Sequence, residues 1–255
     1  MYGLEQKVFQ QLVELKKKYK ISGIKAEFEA EGSSFRDLVR LRRISAYAGI
    51  KLFLKIGGVE AVRDIKDALE IGVDGLIAPM VESKFGVKKY YQAYKRIYKN
   101  HRINLTINIE TKNAAAQIDD IINYAKDKIN NITLGRTDLT DSYFNNNLSP
   151  DSKNILNLIG DIGRKASKAG LGFTVGGSLS VSSINIFNKN LDYVRYVSQF
   201  ETRKVIMPRN MVLKDINSIR EALKFEELYI LSKKEFGDLF MESEIVRLTK
   251  LTGRF

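Results

Sequence analysis

The sequence predicts an α/β fold: one (β/α)8 barrel of parallel strands ringed by helices, with an extra C-terminal helix. Three observations predict it. Short runs rich in Ile, Leu and Phe alternate with stretches of helical apolar spacing, the pattern of repeated βαβ units. The 255 residues match the usual size of one such barrel, about 250. No linker or shift in composition divides the chain, so residues 1–255 are read as one domain with a helical extension from about residue 215.

The first helix runs from Leu4 to Tyr19, with Val8, Leu12, Leu15 and Tyr19 sharing one face. The first strand is Gly23–Glu29. Ser33 or Ser34 caps the next helix, where Leu38, Leu41, Ile44 and Tyr47 keep helical spacing and Gly49 ends it. The second strand is Lys51–Ile56, and the helix after it stops at Gly72. Gly75–Ala78 is the third strand, closed by Pro79. A Tyr-rich helix, Glu82 to Lys99, leads to a fourth strand, Ile103–Ile109, and a helix from Lys112 to Asp127. The fifth strand is Ile132–Leu134. A polar loop, 140–149, precedes Pro150 as the first residue of a helix. The sixth strand is Leu171–Val175, followed by a short helix, Ser180–Phe187. Tyr193–Val197 is read as strand seven and Lys204–Met207 as strand eight. The few residues between these two are too short for a crossover helix, so either the seventh strand lies elsewhere or the barrel closes irregularly. Asp215 to Thr252 reads as one or two amphipathic helices.

Composition excludes several classes. No apolar run approaches the roughly 20 residues of a membrane span. The N-terminus MYGLEQKVFQ lacks the basic and apolar regions of a signal peptide. With no cysteine there are no disulfides and no thiolate metal sites. These features predict a soluble cytoplasmic protein with no membrane partner. The net charge is +12, but the lysines are scattered along helical segments such as KKKYK (16–20) and KKYYQAYKRIYK (88–99). That distribution reads as a solvated surface, which argues against nucleic acid as a partner. The lone His101 precedes the fourth strand, at the wrong end of a barrel for catalysis. No P-loop, GxSxG or HExxH motif is present. The chemistry therefore rests on carboxylates, Lys, Arg and any metal.

Strand four is the most informative stretch. Side chains alternate faces, so Ile103, Leu105, Ile107 and Ile109 face the helices, while Asn104, Thr106, Asn108 and Glu110 enter the lumen. Glu110 falls at the carboxyl end, where barrel active sites sit. Strand one likewise turns Lys25, Glu27, Glu29 and Glu31 inward, and strand two turns Phe53 and Lys55 inward. Buried carboxylates need a cation or a basic partner. Asp138 lies just past strand five, in LGRTDLTDSY. Taken alone it is a turn or cap residue. Paired with Glu110, it forms two hard carboxylates on neighbouring strand ends, which suit Mg²⁺ or Mn²⁺ with water completing the shell. Gly176 and Gly177 after strand six are read either as backbone donors to a carboxylate or phosphate, or as a plain tight turn.

These residues carry a resemblance to the HpcH/HpaI aldolase and citrate lyase beta-subunit family of metal-dependent barrels, over roughly residues 23–210. INIETKNAAAQIDDI (107–121) and ITLGRTDLTDSY (132–143) resemble the family segments holding its two metal ligands, which implies Glu110 and Asp138 in those roles. LFLKIGGVEAVRDIKDALEIGVDGLIAPMVES (52–83) resembles the segment running from a strand-end Arg, which holds the substrate carboxylate, to a Pro-Met-Val turn. Here the Arg position is Lys55, which keeps the charge but loses the bidentate fork. KAEFEAEG (25–32) resembles the family's Asp-x-Glu-His region loosely, with Ala30 or a neighbour where aldolases carry a catalytic His. The resemblance implies a carbon–carbon lyase or aldolase acting on a small 2-oxo acid. Lys55, Asn108, Thr137, Asp138, Gly176, Gly177 and Arg203 would bind substrate, and Glu27, Glu29 or a metal-bound water would move the proton, with Glu201 also near the site. It also leaves open an acyl-CoA lyase or a non-catalytic anion-binding barrel. Homo-oligomeric assembly is expected, as barrels of this type commonly assemble.

Overall fold

In the computed structural model, which describes residues 1–254, eight strands close into one barrel in the order β1 to β8. Helix α1 (Leu4–Tyr19) precedes β1 (Gly23–Glu27). Then come α2 (Phe35–Ala48), β2 (Leu52–Lys55), α3 (Val62–Ile71), β3 (Gly75–Ala78), α4 (Lys84–Tyr98) and β4 (Asn104–Ile109). Two short helices, α5 (Lys112–Ala116) and α6 (Ile118–Ala125), lead to β5 (Asn131–Gly135). They are followed by α7 (Arg136–Asp141), α8 (Lys153–Lys168), β6 (Gly172–Gly176) and α9 (Val181–Lys189). A 3-10 turn at Leu191–Val194 precedes β7 (Gln199–Glu201), β8 (Val205–Pro208), α10 (Arg209–Lys214) and α11 (Asn217–Thr252).

The barrel matches the fold class read from the sequence, and the departures have identifiable causes. Strands β1 to β7 pair in parallel, but β8 runs antiparallel to both β7 and β1. A tight turn over Thr202–Val205 joins β7 to β8: the Thr202 amide donates to the Val205 carbonyl (3.0 Å) and the Val205 amide to Thr202 Oγ1 (3.1 Å). An antiparallel pair needs no crossover helix, which resolves the short spacing seen in the sequence. Strand seven also lies further along than Tyr193–Val197. Val194 and Val197 are buried, but Val194 belongs to the 3-10 turn, and a short apolar run cannot by itself be told from a strand.

Smaller corrections concern helix ends. Ser34, rather than Ser33, caps α2 in a reciprocal capping box with Asp37. Tyr47 is 74% exposed, and Ser45 and Ala48 take the inner face instead. The helix expected from Lys112 onward breaks at Gln117. Helix α8 begins at Lys153 with Ser152 at its N-cap, so Pro150 is not its first residue. Of the one or two helices expected from Asp215 onward, there is one: α11 is a single helix of 36 residues, whose first half packs along α1. No helix among the described residues is long and apolar enough to cross a membrane.

The apolar faces of the strands (Ile24, Leu54, Leu76, Ile107, Leu134 and Val175 among them) are buried under the helices. The inward faces divide the lumen into two cavities. The lower, about 250 Å³, is lined by Phe53, Asn104, Thr106, Thr133 and Thr174. The upper, about 430 Å³, opens at the carboxyl ends of the parallel strands. Glu201 borders both, and its ion pair with Lys25 (2.6 Å) forms a floor between them.

Candidate active site

The pleat decides what enters the upper cavity. Asn108 and Glu110 continue the inward face of β4, two and four residues beyond Thr106 in the lower cavity. Lys55 does the same for β2, and Lys25 and Glu27 for β1. Asp138 and Thr137 come from the first turn of α7, directly after β5.

Glu110 is the most constrained of these groups. Its Oε1 accepts from Asn108 Nδ2 (3.0 Å) and lies 3.4 Å from Lys55 Nζ, while Oε2 accepts from the Met80 amide (3.1 Å). Met80 presents that amide from a left-handed backbone (φ 50°), a costly conformation for a non-glycine residue. Gly135 leaves the space Glu110 fills: a Cβ there would stand 2.7 Å from Glu110 Cγ. Burial pushes the Glu110 carboxyl above the ordinary range. Lys55, the Met80 amide and Asn108 oppose this without cancelling it, and Asp138 adds its own negative charge. Lys55 also pairs with Glu29 (2.8 Å). Burial works against its charge, but Glu110, Glu29 and Glu27 outweigh burial and hold the ammonium above the usual lysine range.

The rim opposite is built around Arg136. Its fully buried guanidinium pairs with Asp151 (2.6 Å) and donates to the carbonyls of Gly176 (3.2 Å), Gly177 (2.9 Å) and Pro150 (3.3 Å). This ties the β5 and β6 loops together. Thr137 Oγ1 and Ser178 Oγ meet across the joint at 2.9 Å.

Of the residues singled out from the sequence, Lys55, Glu27, Glu29, Asn108, Glu110, Thr137, Asp138, Gly177, Glu201 and Arg203 all line this cavity. Gly176 does not. It stands behind Glu201, where a Cβ would lie 2.8 Å from Glu201 Cγ, and its carbonyl is committed to Arg136. Several contributors escaped sequence reasoning. Arg136 sits inside the GRTDL motif, but the two segments it binds, Pro150–Asp151 and Gly176–Gly177, meet it only in the fold. Met80 acts through its backbone, which leaves no compositional signal. Leu223 and Glu226 reach the mouth from α11, far along the chain. Lys204, in the tight turn, ion-pairs with Glu31 beside the mouth; burial nevertheless holds its ammonium below the usual lysine range.

Around the cavity, Glu27, Glu29, Glu110, Asp138, Glu201 and Glu226 outnumber Lys25, Lys55 and Arg203. The donors fit a hard divalent cation. Glu110 and Asp138 are carboxylates close enough to interact, and the buried Asn108 Oδ1 beside them has no partner among the described residues. No third His, Cys, Asp or Glu completes a cluster with them among the described residues, so water or substrate would fill most of the shell.

Fold and cavity together define an α/β barrel with an acidic pocket at its strand ends, the place where barrel enzymes carry their chemistry. The chain belongs to the HpcH/HpaI aldolase/citrate lyase family, whose profile matches residues 36–174. No curated protein matches it. Its fold resembles the crystal structures of three proteins. They are the citrate synthase SbnG (TM-score 0.59, 17% identity, 91% of this chain and 90% of that chain), an HpcH/HpaI aldolase from Desulfitobacterium hafniense DCB-2 (0.60, 13%, 90% and 89%) and a Haloferax volcanii malate synthase (0.55, 14%, 76% and 64%). At these identities the likeness establishes the fold alone.

Proposed function

We propose that this protein is a divalent-metal-dependent carbon–carbon lyase or aldolase acting on a small 2-oxo acid. The observation that carries the reading is the meeting of Glu110 and Asp138 in one cavity, at the mouth of the barrel, with Lys55 against Glu110. Mg²⁺ or Mn²⁺ held by these two carboxylates would supply Lewis-acid polarisation of a bound carbonyl. Lys55 would share its charge between its glutamates and the substrate carboxylate, holding that group as a point charge. Asn108, with a free Oδ1, accepts a hydrogen bond from a substrate hydroxyl or a water. The Thr137 and Ser178 hydroxyls orient the polar end of the ligand from the rim. With no histidine at the mouth, Glu29 takes the role of proton carrier. It lines the cavity, is more exposed than Glu27 and already touches Lys55.

An acyl-CoA thioester is the second reading. It is favoured by Arg203, which stands exposed at the mouth without an ion pair among the described residues, placed to meet a phosphate. A barrel that only binds anions is disfavoured by the excess of carboxylates on the wall. Turnover of a panel of 2-oxo acids, aldehydes and CoA thioesters, with Mg²⁺ or Mn²⁺ and with chelator, tests the proposal. Metal-dependent cleavage or condensation abolished in Glu110→Gln is the expected result. Turnover that ignores chelator and survives in Glu110→Gln refutes it.

A further inference from the structure

We infer that the lower cavity is a second ligand site, shaped for one small neutral polyol. It lies at the amino ends of the parallel strands, away from the mouth where the chemistry sits, and Lys51 and Ser198 stand exposed at its outer edge. A barrel interior is ordinarily filled by branched apolar side chains. Here the inward positions nearest that end are glycine on three strands: Gly23 of β1, Gly75 of β3 and Gly172 of β6. Deeper in come Thr106, Thr133 and Thr174, all buried. The result is a chamber of about 250 Å³ in place of a packed layer. A chamber this polar holds water until something displaces it. It falls below the roughly 300 Å³ at which pockets for drug-sized molecules begin, which restricts the occupant to a small molecule.

The two walls identify the occupant. One is a set of mutually fixed polar groups: Gln199 Nε2 donates to Ser22 Oγ (2.8 Å), Thr174 Oγ1 to Asn131 Oδ1 (3.1 Å) and Asn131 Nδ2 to Thr133 Oγ1 (3.4 Å). These bonds leave the Thr133 proton and the Thr174 lone pairs for a ligand. Thr106, 6% exposed, lines the same space and makes no side-chain hydrogen bond among the described residues. Across the barrel from β6, Phe53 of β2 supplies the other wall. Its ring lies against glycines on both neighbouring strands: a Cβ at Gly23 would stand 2.6 Å from Cε2, and one at Gly75 2.5 Å from Cδ1. The ring is half-buried and belongs to the chamber, not to the apolar core. An aromatic face opposite hydroxyls and amides suits a molecule with an apolar C–H face and a rim of hydroxyls, a polyol or small sugar. Charge points the same way. Of the lining residues, Glu201 is neutralised by Lys25 at 2.6 Å, and Lys51 stands at the outer edge in water. An ionic ligand would lose hydration inside without gaining a counter-charge. The inference does not depend on the reading of the upper cavity.

Saturation-transfer NMR titrations on the full chain test this, with D-ribose, D-xylose and D-glucose as neutral probes and D-glucose 6-phosphate as the charged one. A neutral sugar is expected to bind saturably, with millimolar or tighter affinity, and more tightly than the phosphate ester. Thr106→Val removes a hydroxyl that has no partner in the protein, so it should melt close to wild type and bind that sugar about fivefold more weakly. Phe53→Leu keeps an apolar side chain but removes the ring face, and should weaken binding about tenfold. Asp138→Asn alters the upper cavity alone and should bind the sugar as wild type does. A crystal soaked in the same sugar should show it against Phe53. No saturable binding of any neutral probe overturns the proposal, as does tighter binding of the phosphate ester. So does binding that is unchanged in both Thr106→Val and Phe53→Leu or lost in Asp138→Asn, or a soaked crystal with only water in the lower cavity.

Discussion

Replacing Gly135 by Ala would separate the position of Glu110 from its charge. Gly135 ends β5 with φ −88° and ψ 96°, a backbone that alanine adopts without strain. The added methyl would lie 2.7 Å from both Cγ and Oε1 of Glu110 and 3.1 Å from Cδ. Carbon contacts are comfortable at about 3.5–4.0 Å, so the carboxylate must retreat by about 1 Å. It has no slack to do so freely, because Met80, Asn108 and Lys55 grip both of its oxygens. Overpacking of this kind costs about 1–3 kcal/mol of stability. A ligand displaced from its supports loses about 10–100-fold in metal affinity. Calorimetric titration of Mn²⁺ into Gly135→Ala and wild type, with melting curves of the metal-free proteins, reads both quantities. Wild-type Mn²⁺ affinity in a folded Gly135→Ala protein would refute the reasoning that Glu110, in this position, holds the ion.

Other perturbations test separate parts of the account. Lys55→Met leaves Glu29 and Glu110 without their shared cation; breaking a buried pair in this way costs about 3–5 kcal/mol, so the metal-free variant should melt well below wild type. Mn²⁺ should raise its melting temperature more than that of wild type, and an equal rise in both would count against the site. Arg136→Leu strands Asp151 and the carbonyls of Gly176 and Gly177, at a cost of about 3–5 kcal/mol measured by urea unfolding; a change below about 1 kcal/mol would show that the β5 and β6 loops do not depend on it. Asp37 gives a pH test. Burial works to raise its pKa, but Ser34, Lys233 and Arg40 outweigh it and leave the carboxyl below the ordinary 3.8. A depressed carboxylate stabilises the fold above its unfolded pKa, and that contribution is lost as pH falls through the lower folded value. Asp37→Asn should therefore be less stable than wild type at neutral pH, with the two converging below pH 3.8; a gap that widens in acid would reverse the sign.

The features legible in the sequence were those that depend on near neighbours. The alternation from Asn104 to Glu110 was enough to place Asn108 and Glu110 at one mouth and Thr106 below them, because a strand's side chains alternate whatever surrounds it. The helix ends at Gly49 and Gly72 were legible for the same reason, and the α2 cap was narrowed to Ser33 or Ser34. The features that escaped depend on contacts between distant segments. Tyr193–Val197 has the residues of a strand, but the reversed β8 leaves it no place in the sheet, and the turn at Thr202–Val205 pairs Gln199–Glu201 with β8 instead. Arg136 reads as one more basic residue until Pro150, Asp151, Gly176 and Gly177 converge on it. Glu226 belongs to a helix that, on pattern alone, is an appendage, and only its packing along α1 brings it to the cavity.

A crystal grown with Mn²⁺ and pyruvate, probed by anomalous scattering at the manganese edge, measures the claim on which the functional reading rests. One strong peak within coordination distance of both Glu110 and Asp138, with the pyruvate oxygens sharing its shell, is the predicted result. A peak elsewhere in the barrel, or pyruvate bound in the upper cavity with no metal beside those two carboxylates, would contradict it.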